Sequence, residues 1–359
     1  MTDVTTEVAE PETPAVTELS YIERRKPVRE MTAGDAIDQA FVVSKVENKQ
    51  KKDGVPYIVF MLSDRTSEIE MVAWDDVERM SGVKNGDILR AQGRVEVHEQ
   101  FGPRLIPNMT NGQLHVRAAK DDEYNIVDLV QGPQDSVASL CARLDALLKT
   151  VTSPPIVSLL TMIFNDDETY ERFVDAPAAL KVHQAYKHGL LEHTVTVAEG
   201  VRLMAGNFPG EINYDLALAG ALLHDIGKIN VYALDGYTVS MTTHGMLFGE
   251  LPLTFHLVSS CIEQISEDFD DNALFDELLH IICSHHGRVE HGASVAPATR
   301  AATLVHFVDN LGGRLGSFDR VESKTPATQE FSDWDKSLGS RVWMGASERR
   351  QDEPVSDEE

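Results

Sequence analysis

The sequence predicts a multidomain α+β chain: an N-terminal five-stranded β-barrel, then an all-α domain, framed by acidic, disordered tails. Three observations predict it. Residues 41–107 read as short alternating strands separated by turn residues. Beyond Pro154-Pro155, apolar residues recur at helical spacing. Eleven of the thirteen histidines fall between His183 and His306, so one part of the chain carries most of the metal-ligand chemistry. At 359 residues the chain has room for about two domains, each with its own core.

The strands are FVVSKVE, YIVFMLSD, EIEMVAW, DILRAQGRVEV and PRLIP, with the polar stretch DDVERMSGVKNG between the third and fourth. That order and spacing is the pattern of a closed barrel of the oligonucleotide-binding type, assigned to residues 21–118 with the basic arm IERRKPVREM at its start. Such barrels hold single strands by stacking bases on exposed aromatics in a positive groove. The candidates are Tyr57, Lys49, Lys51, Lys52, Arg94 and Arg104, with Phe60, Phe101 and Arg90 also in reach. Alternation also demands apolar residues inside the barrel, and on that ground Trp74 reads as core and Tyr57 as a stacking platform.

Residues 119–153 read as a connector whose segment SVASLCARLDALLKTV is either a packed helix or a homo-oligomer interface. The helical domain is assigned to residues 154–321. Four of its segments end in ligand-type side chains: His193 in GLLEHT, His224-Asp225 in LLHDIGK, His285-His286 in CSHHG and Asp309 in HFVDN. In the second, Leu216, Ala219 and Leu223 set one inward face that delivers His224 and Asp225 at its C-terminal end. Imidazoles and carboxylates at the ends of several packed helices are what a helical domain uses to hold one or two divalent ions.

The net charge of −26 at first argues against a nucleic-acid partner. Its distribution changes that reading: residues 1–20 contribute −5 and residues 322–359 another −5, both read as solvated tails, whereas residues 21–118 carry fifteen acids and fifteen bases. Three cysteines without a CxxC pair exclude a disulfide framework or a thiolate zinc cluster and suit a reducing, cytoplasmic setting. The N-terminus lacks the bases and apolar stretch of a leader, and no run is long enough to cross a bilayer, so no membrane partner is expected.

The order H, HD, HH, D resembles that of the HD-superfamily metal-dependent phosphohydrolases. Beyond the ligands, PAALKVHQAYKHGLLEHT, DLALAGALLHDIGKI, SHHGRVEHG and LVHFVDNL are similar to the YhaM-type 3′-to-5′ exoribonucleases, which carry an oligonucleotide-binding barrel ahead of the HD domain. The resemblance spans the barrel through Leu315. It implies a first metal on His193, His224, Asp225 and Asp309, with Asp225 bridging to a second on His285 and His286. This chain departs from the family at Gly249-Glu250-Leu251, where Gly-His-Ile is usual, and at Gln184, where a second histidine often follows His183. A carboxylate at Glu250 still coordinates and biases the site toward Mn²⁺, with Mg²⁺ or Co²⁺ as other occupants; alternatively the second site is weakened, or His256 substitutes.

The function implied is 3′-to-5′ hydrolysis of phosphodiester bonds in single-stranded RNA, and in single-stranded DNA as a second substrate class, by metal-activated water. Lys228 in HDIGK is placed either to neutralise phosphoryl charge or to cap a helix as a surface lysine. His183 and His188 are candidate substrate contacts. Two alternatives stand beside this reading: a phosphohydrolase of small nucleotides, and an inactive nucleic-acid-binding or regulatory protein, which Glu250 keeps open.

Overall fold

The computed structural model describes residues 25–98, 102–180, 184–266, 269, 271–325 and 329–345; residues 1–20, Phe101 and His183 lie outside the described residues. Strands β1 (Ala36–Gln50), β2 (Pro56–Ser63), β3 (Glu68–Ala73), β4 (Ile88–His98) and β5 (Gly102–Pro107) pair in the order β1-β2-β3-β5-β4. Strand β4 also pairs with β1, which closes the barrel. Strand β1 serves both neighbours because its register shifts between Val43 and Lys45, a bend that turns Ala36–Val42 toward β4 and the remainder toward β2. Alternation does the rest: Ile58, Phe60, Leu62, Ile69, Met71, Ala73, Val95 and Leu105 all point inward and are buried. The short helix α1 (Val77–Met80), between β3 and β4, adds Met80 to that core. A small hairpin, β6 (Met109–Thr110) with β7 (Gln113–Leu114), follows, and β8 (Val116–Ala118) extends the sheet beside β4.

Inward Ile69, Met71 and Ala73 put position 74 on the other face, and Trp74 is 47% exposed. This corrects its assignment to the core.

The connector carries α2 (Ile126–Leu129), whose Leu129 packs on Ala40 and Val42 of β1. Helix α3 (Val137–Leu148) sends Leu140, Leu144 and Leu147 into the helical core, and its Arg143 is ion-paired with Glu199, so the amphipathic segment is a packed connector. Helices α4 (Pro154–Phe164), α5 (Asp167–Asp175), α6 (Gly189–Ala205) and α7 (Tyr214–Leu223) follow. Then come α8 (Lys228–Val231), β9 (Tyr232–Asp235), β10 (Thr238–Met241), α9 (Thr243–Phe248), α10 (Glu250–Ile265), α11 (Asn272–Ser284) and α12 (Arg300–Lys324). Every residue of α7 from Leu216 to Leu223 is buried, so this helix is central rather than one-faced as its spacing suggested. Gly220 lets α11 approach: a Cβ there would lie 2.8 Å from Ile281.

Two features depart from the sequence reading. The glycine-interrupted stretch after α8 contains the β9–β10 hairpin, whose tip meets the barrel: a Cβ on Gly86 would lie 2.9 Å from the Asp235 carbonyl oxygen. Within the stretch expected to be a disordered tail, α12 runs on to Lys324 and residues 329–345 fold back on it. Bridges pair Phe331 with Trp343 and Asp335 with Ser340, while Leu338, Val342 and Met344 bury against Val321. Among the described residues no helix is long and apolar enough to cross a membrane.

Candidate metal centre

The sequence clamps the ligand-type side chains at or near helix ends, except Asp309, which sits inside α12 and not at a helix end as its segment suggested. His193 lies in the second turn of α6, and Asp309 lies on α12. His224 is the C-cap of α7 with Asp225 next, His285 is the C-cap of α11 with His286 next, and Glu250 opens α10 after Gly249, whose φ of 72° is left-handed. The HDIGK turn is pinned to α10, where buried Thr254 accepts a hydrogen bond from the Gly227 amide (3.0 Å) and leaves no room for a Cβ on Gly227. The CSHHG turn is pinned by His306, whose Nδ1 donates to the His285 carbonyl (2.6 Å) and whose ring lies 2.1 Å from where a Cβ on Gly287 (φ +81°) would sit.

The donors converge. His193 Nε2 lies 3.1 Å from His224 Nε2, 3.2 Å from Asp225 Oδ2 and 3.3 Å from Asp309 Oδ1. His285 Nε2 is 3.7 Å from Asp225 Oδ1, and His286 Nε2 is 2.8 Å from Glu250 Oε1. Three overlapping sets have donor atoms within 4.8 Å of one another: His193, His224, Asp309; His224, Asp225, His285; and Glu250, His285, His286. The tautomers suit ligation. His224 and His285 donate Nδ1–H to the Ala221 and Ile282 carbonyls (2.8 Å each), which leaves each Nε2 lone pair facing the cluster.

The electrostatics mark a cation site. Burial alone would raise the Asp225 carboxyl, yet Lys228 and the surrounding imidazoles hold it well below the usual range. Burial likewise opposes charge on His193, but hydrogen bonding to Asp225 and Asp309 outweighs it and lifts the imidazole to about 9. His285 is pushed down to about 4 by burial and by His224, and so stays neutral. Asp225 Oδ1 is buried without a hydrogen-bond partner among the described residues. An orphaned carboxylate oxygen is costly, and one that faces a neutral imidazole 3.7 Å away is what a shared cation resolves. The residues therefore fit one or two divalent ions.

Lys228 is largely enclosed, its side chain 12% exposed, and ion-paired with Asp225 Oδ2 at 2.6 Å, which removes the surface-lysine reading. It lines a cavity of about 230 Å³ together with His193, Asp225, His286 and Asp309, and Gln184, Ser317 and Arg320 form part of the same wall. Sequence reasoning missed Arg320 and Ser317, although from Asp309 they recur at helical spacing through Gly313 and Gly316 on α12. His188 is turned away: its Nδ1 donates to the Val174 carbonyl (2.8 Å) at the end of α5, a packing role in place of the expected substrate contact. His256 is exposed on α10 and takes no part in the cluster.

On the barrel, Tyr57 and Trp74 stack on the outer face with ring centroids 4.5 Å apart, and Lys51 Nζ stands 4.9 Å over the Trp74 ring. Lys52 and Arg94 are exposed. Lys49 is ion-paired with Glu47 and Arg104 with Glu70, at 2.6 Å each. Arg90 is held by Asp38 and Glu123. Phe60 is wholly buried.

Residues 190–313 match the family model of the HD domain, a span that takes in His193, both paired motifs and Asp309. The chain is thus a closed five-stranded barrel followed by a helical HD domain. An HD domain implies a metal-dependent phosphohydrolase that binds divalent ions, and the His/Asp cluster is where this chain would bind them.

Proposed function

We propose that the protein is a metal-dependent 3′-to-5′ exonuclease of single-stranded RNA, with single-stranded DNA as a second substrate class. The observation that carries the step from phosphohydrolase to strand hydrolase is the Tyr57–Trp74 stack, in which half-buried Tyr57 supports exposed Trp74 beneath Lys51, on a barrel in the same chain as the metal pocket. An enzyme of mononucleotides gains nothing from a base-stacking surface, whereas a strand held on one raises the effective concentration of its end at the pocket.

In this reading His193, His224, Asp225 and Asp309 would hold one ion, and Glu250, His285 and His286, with Asp225 as a shared ligand, would hold a second. Divalent ions held there would supply Lewis-acid chemistry for hydrolysis of a phosphodiester by water. The chain's own groups do the rest. The backbone carbonyls behind His224 and His285 accept from Nδ1 and so turn each Nε2 toward the cluster, and the Asp225 and Asp309 carboxylates set the negative field. Lys228, fixed by Asp225, offers positive charge to the phosphoryl oxygens. The third carboxylate, Glu250, favours Mn²⁺ over softer ions.

The test is digestion of 5′-labelled single-stranded RNA with Mn²⁺ by wild type and Asp225→Ala. A ladder shortening from the 3′ end, absent in the variant, is expected; no ladder with Mn²⁺, Mg²⁺ or Co²⁺ refutes the reading. A second reading, hydrolysis of small nucleotides, is favoured by the size of the cavity, which holds about one nucleotide end. Phosphate release from mononucleotides without strand shortening would select it.

A further inference from the structure

The stretch 329–345 has the composition of a tail and the geometry of a binding surface. Asp335 accepts from Arg320 Nη2 at 2.8 Å, and Ser337 Oγ lies 2.9 Å from the same guanidinium nitrogen and 3.5 Å from Ser317 Oγ. Arg320 and Ser317 line the metal pocket, so this segment is fastened directly to the pocket wall. Arg314 adds a hydrogen bond to the Leu338 carbonyl (3.2 Å), and Leu338, Val342 and Met344 form a small core against Val321.

The other face of the segment is aromatic and uncovered. Phe331 is 48% exposed, Trp334 63% and Trp343 57%, so two of the three tryptophans of the chain stand in solvent here. Phe331 and Trp343 are bridge partners, which sets their side chains next to one another on one side, while their neighbours Ser332 and Val342 face inward. Trp334 directly precedes Asp335, so its Cα lies about 3.8 Å from that of the residue that holds Arg320. Burying the small core needs Leu338, Val342 and Met344; it does not need the three large rings outside. Exposed aromatics on a segment whose Asp335 and Ser337 bond the wall of the metal pocket suit one occupant above others, the bases of a single strand, since every base offers a π-face. Lys336 and Arg341 are exposed on the same segment and make no ion pair among the described residues.

We propose that residues 329–345 form a second strand-binding surface, in which Trp334, Trp343 and Phe331 stack bases further along the strand, beyond the two nucleotides that flank the scissile phosphodiester, while the terminal nucleotide occupies the metal pocket. This rests on the strand-hydrolase reading above. It gives the chain two stacking sites, one on the barrel and one on the segment fastened to the pocket wall.

The experiment uses the full-length protein and two substrates, a single-stranded RNA longer than about 16 nucleotides and the dinucleotide UpU. Trp334→Ala or Trp343→Ala is expected to raise KM for the long strand about tenfold, the size of one lost stack, and to leave UpU hydrolysis unchanged. In a Trp74→Phe background only the two C-terminal tryptophans emit, and their fluorescence is expected to fall when the long RNA is added in EDTA. Unchanged KM together with unmoved emission overturns the proposal. So does an equal loss on both substrates, which would make the segment a support for the pocket and not a seat for the strand. If wild type cleaves neither RNA, the strand-hydrolase reading falls. The fluorescence titration still decides the surface: quenching upholds it and constant emission rejects it.

Discussion

In the proposed two-ion arrangement Asp225 serves both sites: one oxygen is held by Lys228 and the other, Oδ1, is buried and without a hydrogen-bond partner among the described residues. Asp225→Ala should reduce bound metal to less than one ion per chain and lower hydrolysis by more than the ~10–100-fold typical of losing a supporting partner, checked by elemental analysis beside the RNA assay. His193 gives the pH dependence. Burial works against its charge, yet Asp225 and Asp309 lift it to about 9, above the ordinary imidazole value of about 6.5. The metal-free fold therefore binds a proton there that the unfolded chain has released. This proton's stabilising effect is complete below about pH 6.5 and is lost as pH rises through about 9. A metal must displace the same proton, so uptake should release close to one proton between those limits, with affinity rising about tenfold per pH unit and levelling above about 9. Calorimetry in buffers of different ionisation enthalpy counts that proton; none released at pH 7.5 contradicts the assignment.

At the scale of elements, the turns around the ligands set what the site tolerates. Gly287 combines φ +81° with the His306 ring 2.1 Å from its missing Cβ, so Gly287→Ala should cost at least about 1–3 kcal/mol and displace His285 and His286. Gly312, on α12 with nothing within 4 Å of its missing Cβ, is the contrasting case: Gly312→Ala should stabilise by about 0.5–1 kcal/mol. Thermal denaturation of both variants, without metal, checks the pair. The same elements show what the sequence could express. The barrel strands were legible because one buried face enforces alternation, and that alternation, followed through Ile69, Met71 and Ala73, already places Trp74 outside; its apolar character hid this. The central burial of α7 was not legible, since wrapping by α6, α11 and α12 is a property of the fold and not of the helix's own period. The β9–β10 hairpin has four residues per strand and little burial, too short a pattern to register. Residues 329–345 read as a tail because Leu338, Val342 and Met344 find their common partner, Val321, outside the segment, back on α12. The ligands themselves were legible from the order H, HD, HH, D, while Arg320 lay beyond any motif and was recoverable only from the face that Asp309 defines on its helix.

For the whole molecule, the net charge of −26 makes long-range attraction an inadequate account of the strand binding that the proposed function requires. Two cations of the barrel face, Lys49 and Arg104, are engaged by Glu47 and Glu70, which leaves Lys51, Lys52 and Arg94 as the cations to meet phosphates there. Three phosphate contacts on a single strand give a slope of log K against log salt of about −2. Each base stacked on an aromatic contributes about 1–3 kcal/mol, a term that salt does not screen. The two magnitudes make binding a matter of stacking more than of charge. RNA affinity, measured by anisotropy in EDTA, should therefore fall about 5–150-fold in Trp74→Ala while its salt slope stays near −2. Lys51→Ala and Lys52→Ala should each flatten the slope by about 0.7 and leave most of the affinity at physiological salt. A wild-type slope several times steeper would shift the weight to phosphate contacts and away from the exposed rings.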